Sequence, residues 1–355
     1  MFCAILKDMI ILAIETSCDD TCIALIEADE KKRSKINVLS SFVSSQVEIH
    51  KKYGGIYPFL AKREHQKNLP LLFEKARRKA NDPKIGLIAV TVGPGLEPCL
   101  WTGINFAKSL AEKLGVPVIP INHIEAHIYA NFIESDPKNI EKIFPALCLV
   151  VSGGHTQLIL IKGFGRYELL GETRDDAAGE CFDKIGRTLG LDYPGGPAIE
   201  KEAAQSDSKI NIRMPRPMIN QKNYDFSFSG LKTAVLYDYK KRKPEFKKLK
   251  GYIRAMCAEV QQAIIDVLLD KTIKAARENK VKTIILGGGV TANKELRKQF
   301  NDKIKKELSG VDIYLPDIKH CMDNALMVAV TAYYHLLKSK KKSWKKIEAN
   351  GNLRI

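Results

Sequence analysis

Met9-Ile10-Ile11-Leu12-Ala13-Ile14, then Glu15-Thr16-Ser17-Cys18-Asp19-Asp20, then Thr21-Cys22-Ile23-Ala24-Leu25-Ile26 is the stretch whose reading decides the fold. Two short apolar runs on either side of a polar turn read as the buried strands of a hairpin. A third strand is expected over 36–44, followed by the turn Gly54-Gly55-Ile56-Tyr57-Pro58 and a helix over 58–80 that carries Arg63, Glu64 and His65. A strand over 85–92, the loop Gly93-Pro94-Gly95, a helix ending at Leu114 and a strand over 116–120 come next. A helix holding His123-Ile124-Glu125-Ala126-His127 completes a first half of order β-β-β-α-β-α-β-α.

Asp136-Pro137-Lys138-Asn139 breaks this pattern and marks a boundary, after which the order recurs. Strands are expected over 146–151 and 156–161 around the turn Ser152-Gly153-Gly154-His155, with a third near 167–170 and a helix over 176–189. A Gly/Pro-rich insertion, a helix over 250–279, a strand over 283–286, a helix from Thr291, a strand over 312–315 and a helix from Asp323 follow. The element order implies a duplicated α/β protein with two like domains, 9–135 and 145–340, the second carrying a helical insertion. In such a duplication the first hairpin turn of each half is expected to face a common central cleft.

The composition suits an ordinary globular protein: 355 residues, 45% of them hydrophobic, give ample core for two domains. A formal charge of +16 and a sequence pI near 9.3 are concentrated in runs, notably Lys240-Lys241-Arg242-Lys243 with Lys247, Lys248 and Lys250, and a later run over 338–346. Two such runs point to a polyanionic partner such as RNA, bound in a salt-sensitive way. The eight cysteines contain no CxxC pair, which fits reduced thiols in a cytoplasmic protein. The opening apolar segment is too short for a signal peptide, and no apolar run reaches the length of a membrane span.

Three stretches carry chemistry. His123 and His127 stand four apart, so on a helix both imidazoles share a face and can point at one divalent ion, with a third ligand supplied from elsewhere. Glu does not directly follow the first His, so the general-base geometry of a zinc protease is missing. Ser152-Gly153-Gly154 offers unobstructed backbone N–H groups to anionic oxygen, and Asp19 and Asp20 offer carboxylates at the matching turn of the first half. Gly287-Gly288-Gly289 lies between a strand and a helix start, where Asn293 is placed to bond a ribose or base. Asp176, Glu180, Asp183 and Lys184 share one helical region, Tyr193-Pro194-Gly195-Gly196-Pro197 reads as a rigid turn, and the alternation in 225–232 reads as a half-buried strand or loop. No GxxxxGK[ST] loop occurs.

In order along the chain, IETSCDDT, GGIYPFLAKREH, VGPGL, NHIEAH, LVVSGGHTQL, DDAAGECFDKIGR, YPGGP, DFSFSGLKTAV, GGGVTANKELR and MDNALM closely resemble the TsaD family of bacteria, relatives of the catalytic subunit of KEOPS. The resemblance implies the duplicated, ribonuclease-H-like fold of actin, Hsp70 and sugar kinases. It implies transfer of threonylcarbamoyl from threonylcarbamoyl-AMP to N6 of the adenosine 3′ of the anticodon in ANN-reading tRNAs, giving t6A. By motif it places a divalent metal ion, one per subunit and iron by family with zinc compatible, on His123, His127 and Asp323. It places substrate on Val150, Val151, Ser152, Gly153, Gly154, Asp183, Gly196 and Asn293, and an acidic pair near the reacting groups at Asp19 and Asp20. It also implies TsaB-like and TsaE-like protein partners and a cytoplasmic location without a membrane. The segment Glu97-Pro98-Cys99-Leu100-Trp101-Thr102 departs from the small or apolar residues usual there. Two competing readings are a metallopeptidase and a small-molecule kinase or ATPase on the same fold. With Asp323 placed in the second domain, the metal is expected to bridge the two halves.

Overall fold

The computed structural model describes residues 9–28, 36–134, 140–206, 210–247, 249–338 and 347–355. The strands in chain order are β1 (Met9–Glu15), β2 (Asp20–Ala28), β3 (Asn37–Ser45), β4 (Ile85–Gly93), β5 (Val118–Asn122), β6 (Ala146–Val151), β7 (Thr156–Gly163), β8 (Arg166–Glu172), β9 (Thr283–Gly287) and β10 (Asp312–Tyr314). The helices are α1 (Val47–Lys51), α2 (Pro58–Lys79), α3 (Glu97–Leu114), α4 (His123–Tyr129), α5 (Ala178–Thr188), α6 (Gly195–Ala203), α7 (Ser229–Lys241), α8 (Pro244–Lys247), α9 (Lys250–Glu278), α10 (Lys294–Glu307) and α11 (Ala325–Lys338). The chain divides into two compact units, Met1–Ile140 with Met322–Ile355, and Glu141–Cys321.

In the first unit the sheet order is β3-β2-β1-β4-β5. β1 pairs antiparallel with β2, Ile14 opposite Ile23, and parallel with β4, Ile14 opposite Val90. These three strands are buried almost throughout, as strands covered on both faces must be, and their sequences are accordingly near-continuous apolar runs. α2 turns Ala61, His65, Leu69, Phe73 and Ala76 inward, a stripe with steps of three and four residues. α11 lies against β1, β2 and α4.

A late segment completes this unit. Ile347 belongs to its core, Asn350 N donates to Val92 O at 2.9 Å, and Gly95 N donates to Gly351 O at 3.1 Å. Gly93 has φ +149°, and a Cβ there would lie 1.9 Å from Asn350 O, so the loop after β4 accepts only glycine at this position.

The second unit repeats the plan. Its sheet order, β10-β9-β6-β7-β8, becomes β8-β7-β6-β9-β10 from the other edge, which matches the first unit strand for strand. β6 pairs antiparallel with β7 and parallel with β9. The long helix α9 is apolar around much of its circumference because it packs into the core of this unit, where Tyr252, Met256, Ile264 and Leu268 are fully buried.

Several expectations need correction. The second domain was expected to run to residue 340, but Met322–Ile355 clusters with the first unit, because the apolar helix α11 covers the first sheet. The 225–232 stretch is neither strand nor simple loop: Phe226 makes an isolated bridge to Thr173, and α7 starts at Ser229. The helix expected at Thr291 is a 3-10 turn over Gly289–Ala292, with α10 beginning at Lys294. The turn at Gly195 is the first residue of α6, and α1 was not foreseen. The boundary at 136–139 and most of the 338–346 lysine run lie outside the described residues.

Met327 of α11 is fully buried. Met327→Ala should cost about 2–5 kcal/mol by denaturant unfolding. Hydrogen exchange should report the loss at the amides of β1 and β2 more than at β6 and β9; the reverse pattern would detach α11 from the first unit.

Candidate functional site

In the first unit, β5 delivers the chain to α4, and Asn122 caps that helix by accepting from Ile124 N at 2.8 Å and Glu125 N at 3.1 Å. The cap starts the helix at His123, so His123 and His127 stand one turn apart, with ring centroids 4.6 Å from each other. Asp323, just before α11, brings Oδ1 to 3.6 Å from His123 Nε2 and 3.2 Å from His127 Nε2. One ligand atom from each of the three residues lies within 4.8 Å of the others. All three belong to the first unit, so the expected supply of Asp323 from the second domain is not what the chain does.

Whether this trio fits a metal ion is tested by its surroundings. Both ring nitrogens of His127 are buried and make no hydrogen bond to a described residue, Nε2 having only the approach of Asp323 Oδ1, which is costly for a polar ring unless a further partner is supplied. His123 is held from its other side: Nδ1 lies 3.0 Å from Glu15 Oε2 and 3.2 Å from Ser17 Oγ, leaving Nε2 toward Asp323. A carboxylate on the far nitrogen is the arrangement that fixes the ring and tautomer of a metal-binding histidine. Burial alone would lower the pKa of His123, but the Glu15 and Asp323 carboxylates outweigh it and raise it to about 9. The pocket therefore demands positive charge, and a divalent cation answers that demand.

Glu15 was not singled out by sequence reasoning, although an acid closing an apolar strand was a visible signal. It is fully buried, and beyond His123 it accepts from Thr91 Oγ1 at 2.7 Å and Ser17 N at 2.5 Å. Burial pushes its pKa up, yet the charge of His123 and these bonds hold it below the ordinary value. On the opposite side of α4, both Glu125 oxygens face His335 Nε2 of α11, at 2.9 and 3.0 Å. This pairing ties the helix of the two histidines to the helix that follows Asp323.

The acidic turn between β1 and β2 lies near enough to Asp323 for its charge to act on both Asp19 and Asp20. Burial, followed by smaller effects including the charge of Asp323, raises Asp19 above the ordinary carboxylate range. For Asp20 burial is again the largest cause, and its pKa rises to about 7. Ser45 bonds the Asp20 carboxyl, whose Oδ1 is buried with no hydrogen-bond partner among the described residues.

In the second unit, Val150 and Val151 end the buried strand β6, and Ser152 N bonding His155 O closes the turn at 2.8 Å. A Cβ on Gly153, Gly154 or Gly196 would meet nothing within 4 Å, so packing does not require glycine there and the bare backbone faces open space. Elsewhere close packing does require it. A Cβ on Gly288, at φ +90°, would lie 2.4 Å from Val151 O, and one on Gly179 would lie 2.6 Å from Ser152 O. These approaches bring the Gly287–Gly289 loop, the Ser152 turn and the start of α5 together. Asp183 joins them by accepting from Gly195 N at 2.7 Å, next to Gly196.

Two sequence expectations fare differently. Lys184 pairs with Asp176 at 2.6 Å and Glu180 at 2.7 Å, so those charges share one cluster, while Asp183 points to α6 instead. Asn293 is buried, its Oδ1 capping α10 at Leu296 N (2.9 Å) and its Nδ2 donating to Gln261 Oε1 (2.7 Å). Its amide therefore holds the glycine loop in place from within the fold.

The TsaD family, described as tRNA N6-adenosine threonylcarbamoyltransferase, matches residues 37–330. A Thermosipho melanesiensis protein described by the same words is 47% identical over 92% of this chain and 94% of its own length. One from Thermosipho africanus is 46% identical over 98% of this chain and 100% of its own. Among solved structures, HypF of T. kodakarensis superposes with a TM-score of 0.58 at 14% identity, over 93% of this chain and 48% of HypF, a likeness of fold alone. The chain thus spans about half the length of that structure. With the motif order, the duplicated sheets and the His-His-Asp cluster in hand, the chain belongs to the TsaD family of tRNA N6-adenosine threonylcarbamoyltransferases.

Proposed function

We propose that the chain transfers the threonylcarbamoyl group of threonylcarbamoyl-AMP to N6 of the adenosine 3′ of the anticodon in ANN-reading tRNAs, forming t6A. Family membership along nearly the whole chain is the observation that carries this reading. N6 attacks the carbamoyl carbon, the bond from that carbon to the phosphate oxygen breaks, AMP leaves with the electron pair, and the amine loses a proton. The amine is a poor nucleophile, so the protein's task is to polarise the carbonyl, hold the donor and accept the proton.

The donor loops are supplied by the second unit. Val150, Val151 and the open backbone of Ser152, Gly153 and Gly154 are assigned to the phosphate and carbonyl oxygens, whose charge backbone N–H groups stabilise. Asp183 and Gly196 are assigned to the remainder of the nucleotide, and Asn293 supports the loop beside them. The proton goes to the acidic turn. Asp19 and Asp20 are both candidates for it, since burial raises each toward the range in which a base works best.

His123, His127 and Asp323 are assigned to one divalent ion, iron by family and compatible with zinc, since imidazole and carboxylate suit either. Such an ion supplies Lewis acidity toward a carbonyl or phosphoryl oxygen. TsaB-like and TsaE-like proteins are the proposed partners and the cytoplasm the proposed location. No described helix is long and apolar enough to cross a membrane, and the seven described cysteines are free. A metallopeptidase reading loses ground because Glu125, the acid inside the HxxxH motif, is bonded to His335.

The reading is tested by incubating the purified protein with a TsaB-like and TsaE-like partner, authentic threonylcarbamoyl-AMP and unmodified tRNA, followed by nucleoside analysis. t6A should form, and its absence with active partners would reject the assignment. His127→Ala and Asp323→Ala should each lower bound metal and transfer at least about 10-fold, the lower limit for loss of even an outer-shell metal partner. Circular dichroism should stay close to wild type, and full metal occupancy in Asp323→Ala would remove that residue from the site.

The tRNA surface has its own test. Lys240 and Lys241 end α7 and Lys243 follows, all exposed, and one turn earlier Tyr237 is also exposed. Arg242 is engaged with Asp238, at 2.9 Å. Replacing Lys240, Lys241 and Lys243 by Ala should weaken tRNA binding and reduce the slope of log K against log salt by about 1 for each lysine that pairs with a phosphate. An unchanged slope would make this run merely a solvated face.

A further inference from the structure

His65 is a residue that the proposed chemistry leaves unused. It sits on α2 within the inward stripe of Ala61, Leu69, Phe73 and Ala76 and is fully buried. An apolar side chain would suit that stripe, yet both of its ring nitrogens are engaged, and both by the turn between β1 and β2. Nε2 lies 2.9 Å from Cys18 O and Nδ1 lies 2.8 Å from Thr21 Oγ1. The ring therefore spans the two residues that flank Asp19 and Asp20.

The chemistry of the partners fixes the tautomer. A carbonyl only accepts, so Nε2 carries the proton and donates to Cys18 O. Burial, the largest influence on this ring, lowers its pKa and favours the neutral form, so Nδ1 accepts from the Thr21 hydroxyl. Neighbouring carbonyls are tied just as firmly: Ser17 O accepts from Leu96 N at 2.7 Å, and Asp19 O accepts from Gln46 N at 3.2 Å. Ser17, Cys18 and Asp19 are thus anchored in succession to the start of α3, to α2 and to the residue preceding α1. Of these three anchors only His65 is a side chain, and so only it can be removed by substitution without touching the backbone.

We infer that His65 is a positioning residue for transfer: by bridging Cys18 and Thr21 it fixes the backbone from which the Asp19 and Asp20 carboxylates project. The inference deepens the proposed reaction and rests on it for the role of the acidic turn. Asp20 Oδ1 has no hydrogen-bond partner among the described residues and the carboxyl is held by a side-chain hydrogen bond from Ser45, so where the group sits depends on that hydroxyl and on the backbone that His65 pins. A displaced backbone would carry the proton acceptor away from the amine while leaving His123, His127 and Asp323 in place.

The test compares His65→Leu, which removes both hydrogen bonds, with His65→Gln, whose amide both donates and accepts, and with Thr21→Val, which removes the Nδ1 bond alone. In His65→Leu kcat should fall by up to about 100-fold, the scale of a 1 Å misplacement, with KM for tRNA and bound metal near wild type. His65→Gln should recover most of kcat, and Thr21→Val should lie between the two. A second readout is independent of transfer: amide hydrogen exchange of residues 19–21 should accelerate in His65→Leu and return toward wild type in His65→Gln. Unchanged exchange in His65→Leu would overturn the inference, even if the wild-type chain formed no t6A and the reaction itself had to be reassigned. Equal losses of kcat, metal and thermal stability in the Leu and Gln variants would also overturn it, by making His65 a packing residue only. If His65→Leu does not fold, exchange and kcat in Thr21→Val decide the matter, and wild-type values in both would reject the inference.

Discussion

A carboxylate with no exposure to water is the constraint on which the first unit depends. Glu15 closes β1 at the point where the strand leaves the sheet, and an isolated charge there would cost several kcal/mol or would simply take up a proton. It stays charged because three elements converge on it: Thr91 from β4, the backbone of Ser17, and His123 from α4. Each partner is thereby located as well. His123 can satisfy Glu15 through Nδ1 only by presenting Nε2 to Asp323, so the outer bond determines the inner geometry. The negative charge of Glu15 and Asp323, with the hydrogen bond to Glu15, explains why the proton affinity of His123 is raised despite its burial.

Much of this was legible in the sequence, for identifiable reasons. Strands covered on both faces announce themselves as apolar runs, and β1, β2, β4, β6, β7 and β9 were all readable that way. The repeat of elements then implied two like domains, and the structure has the same sheet order in both units. What stayed hidden depended on tertiary packing. The start of α7 was obscured because Asp175 takes up the serines before and at it: Ser227 and Ser229 donate to its carboxylate at 2.5 and 2.6 Å, a pairing across about fifty positions of chain. The placement of α11 in the first unit was equally invisible, since an apolar helix suits either sheet.

The candidate site divides along the same line. His123, His127 and Asp323 could be named from motif, and the structure gathers them. Glu15 and His65 stood in the quoted motifs but were given no role, because each acts through a partner distant in sequence, at separations of 108 and 47 residues. Asn293, expected at the substrate because it stands beside a glycine loop, has a second task that the sequence did not announce: its capping bond to Leu296 and its bond to Gln261 brace that loop from within. Glycines divide as well. Gly288 and Gly179 are imposed by backbone approach, whereas Gly153, Gly154 and Gly196 have room for a side chain that the chain does not use.

The first unit is discontinuous, with Glu141–Cys321 inserted between its two parts. A ribosome releases the chain from one end only. The strands β1 to β5 and both histidines therefore emerge while Asp323, α11 and the segment that closes against Gly93 have yet to be made. At about 5–20 residues per second the histidines wait roughly 10–40 s for their carboxylate. During that interval the apolar faces of β1 and β2 that α11 will cover lack that cover, so the nascent first unit is an open half-sandwich. The inserted unit has all of its strands in one continuous stretch and can mature first. Birth order thus runs opposite to sequence order: the part begun second is finished first, and the His-His-Asp cluster becomes whole only after the inserted unit has been made.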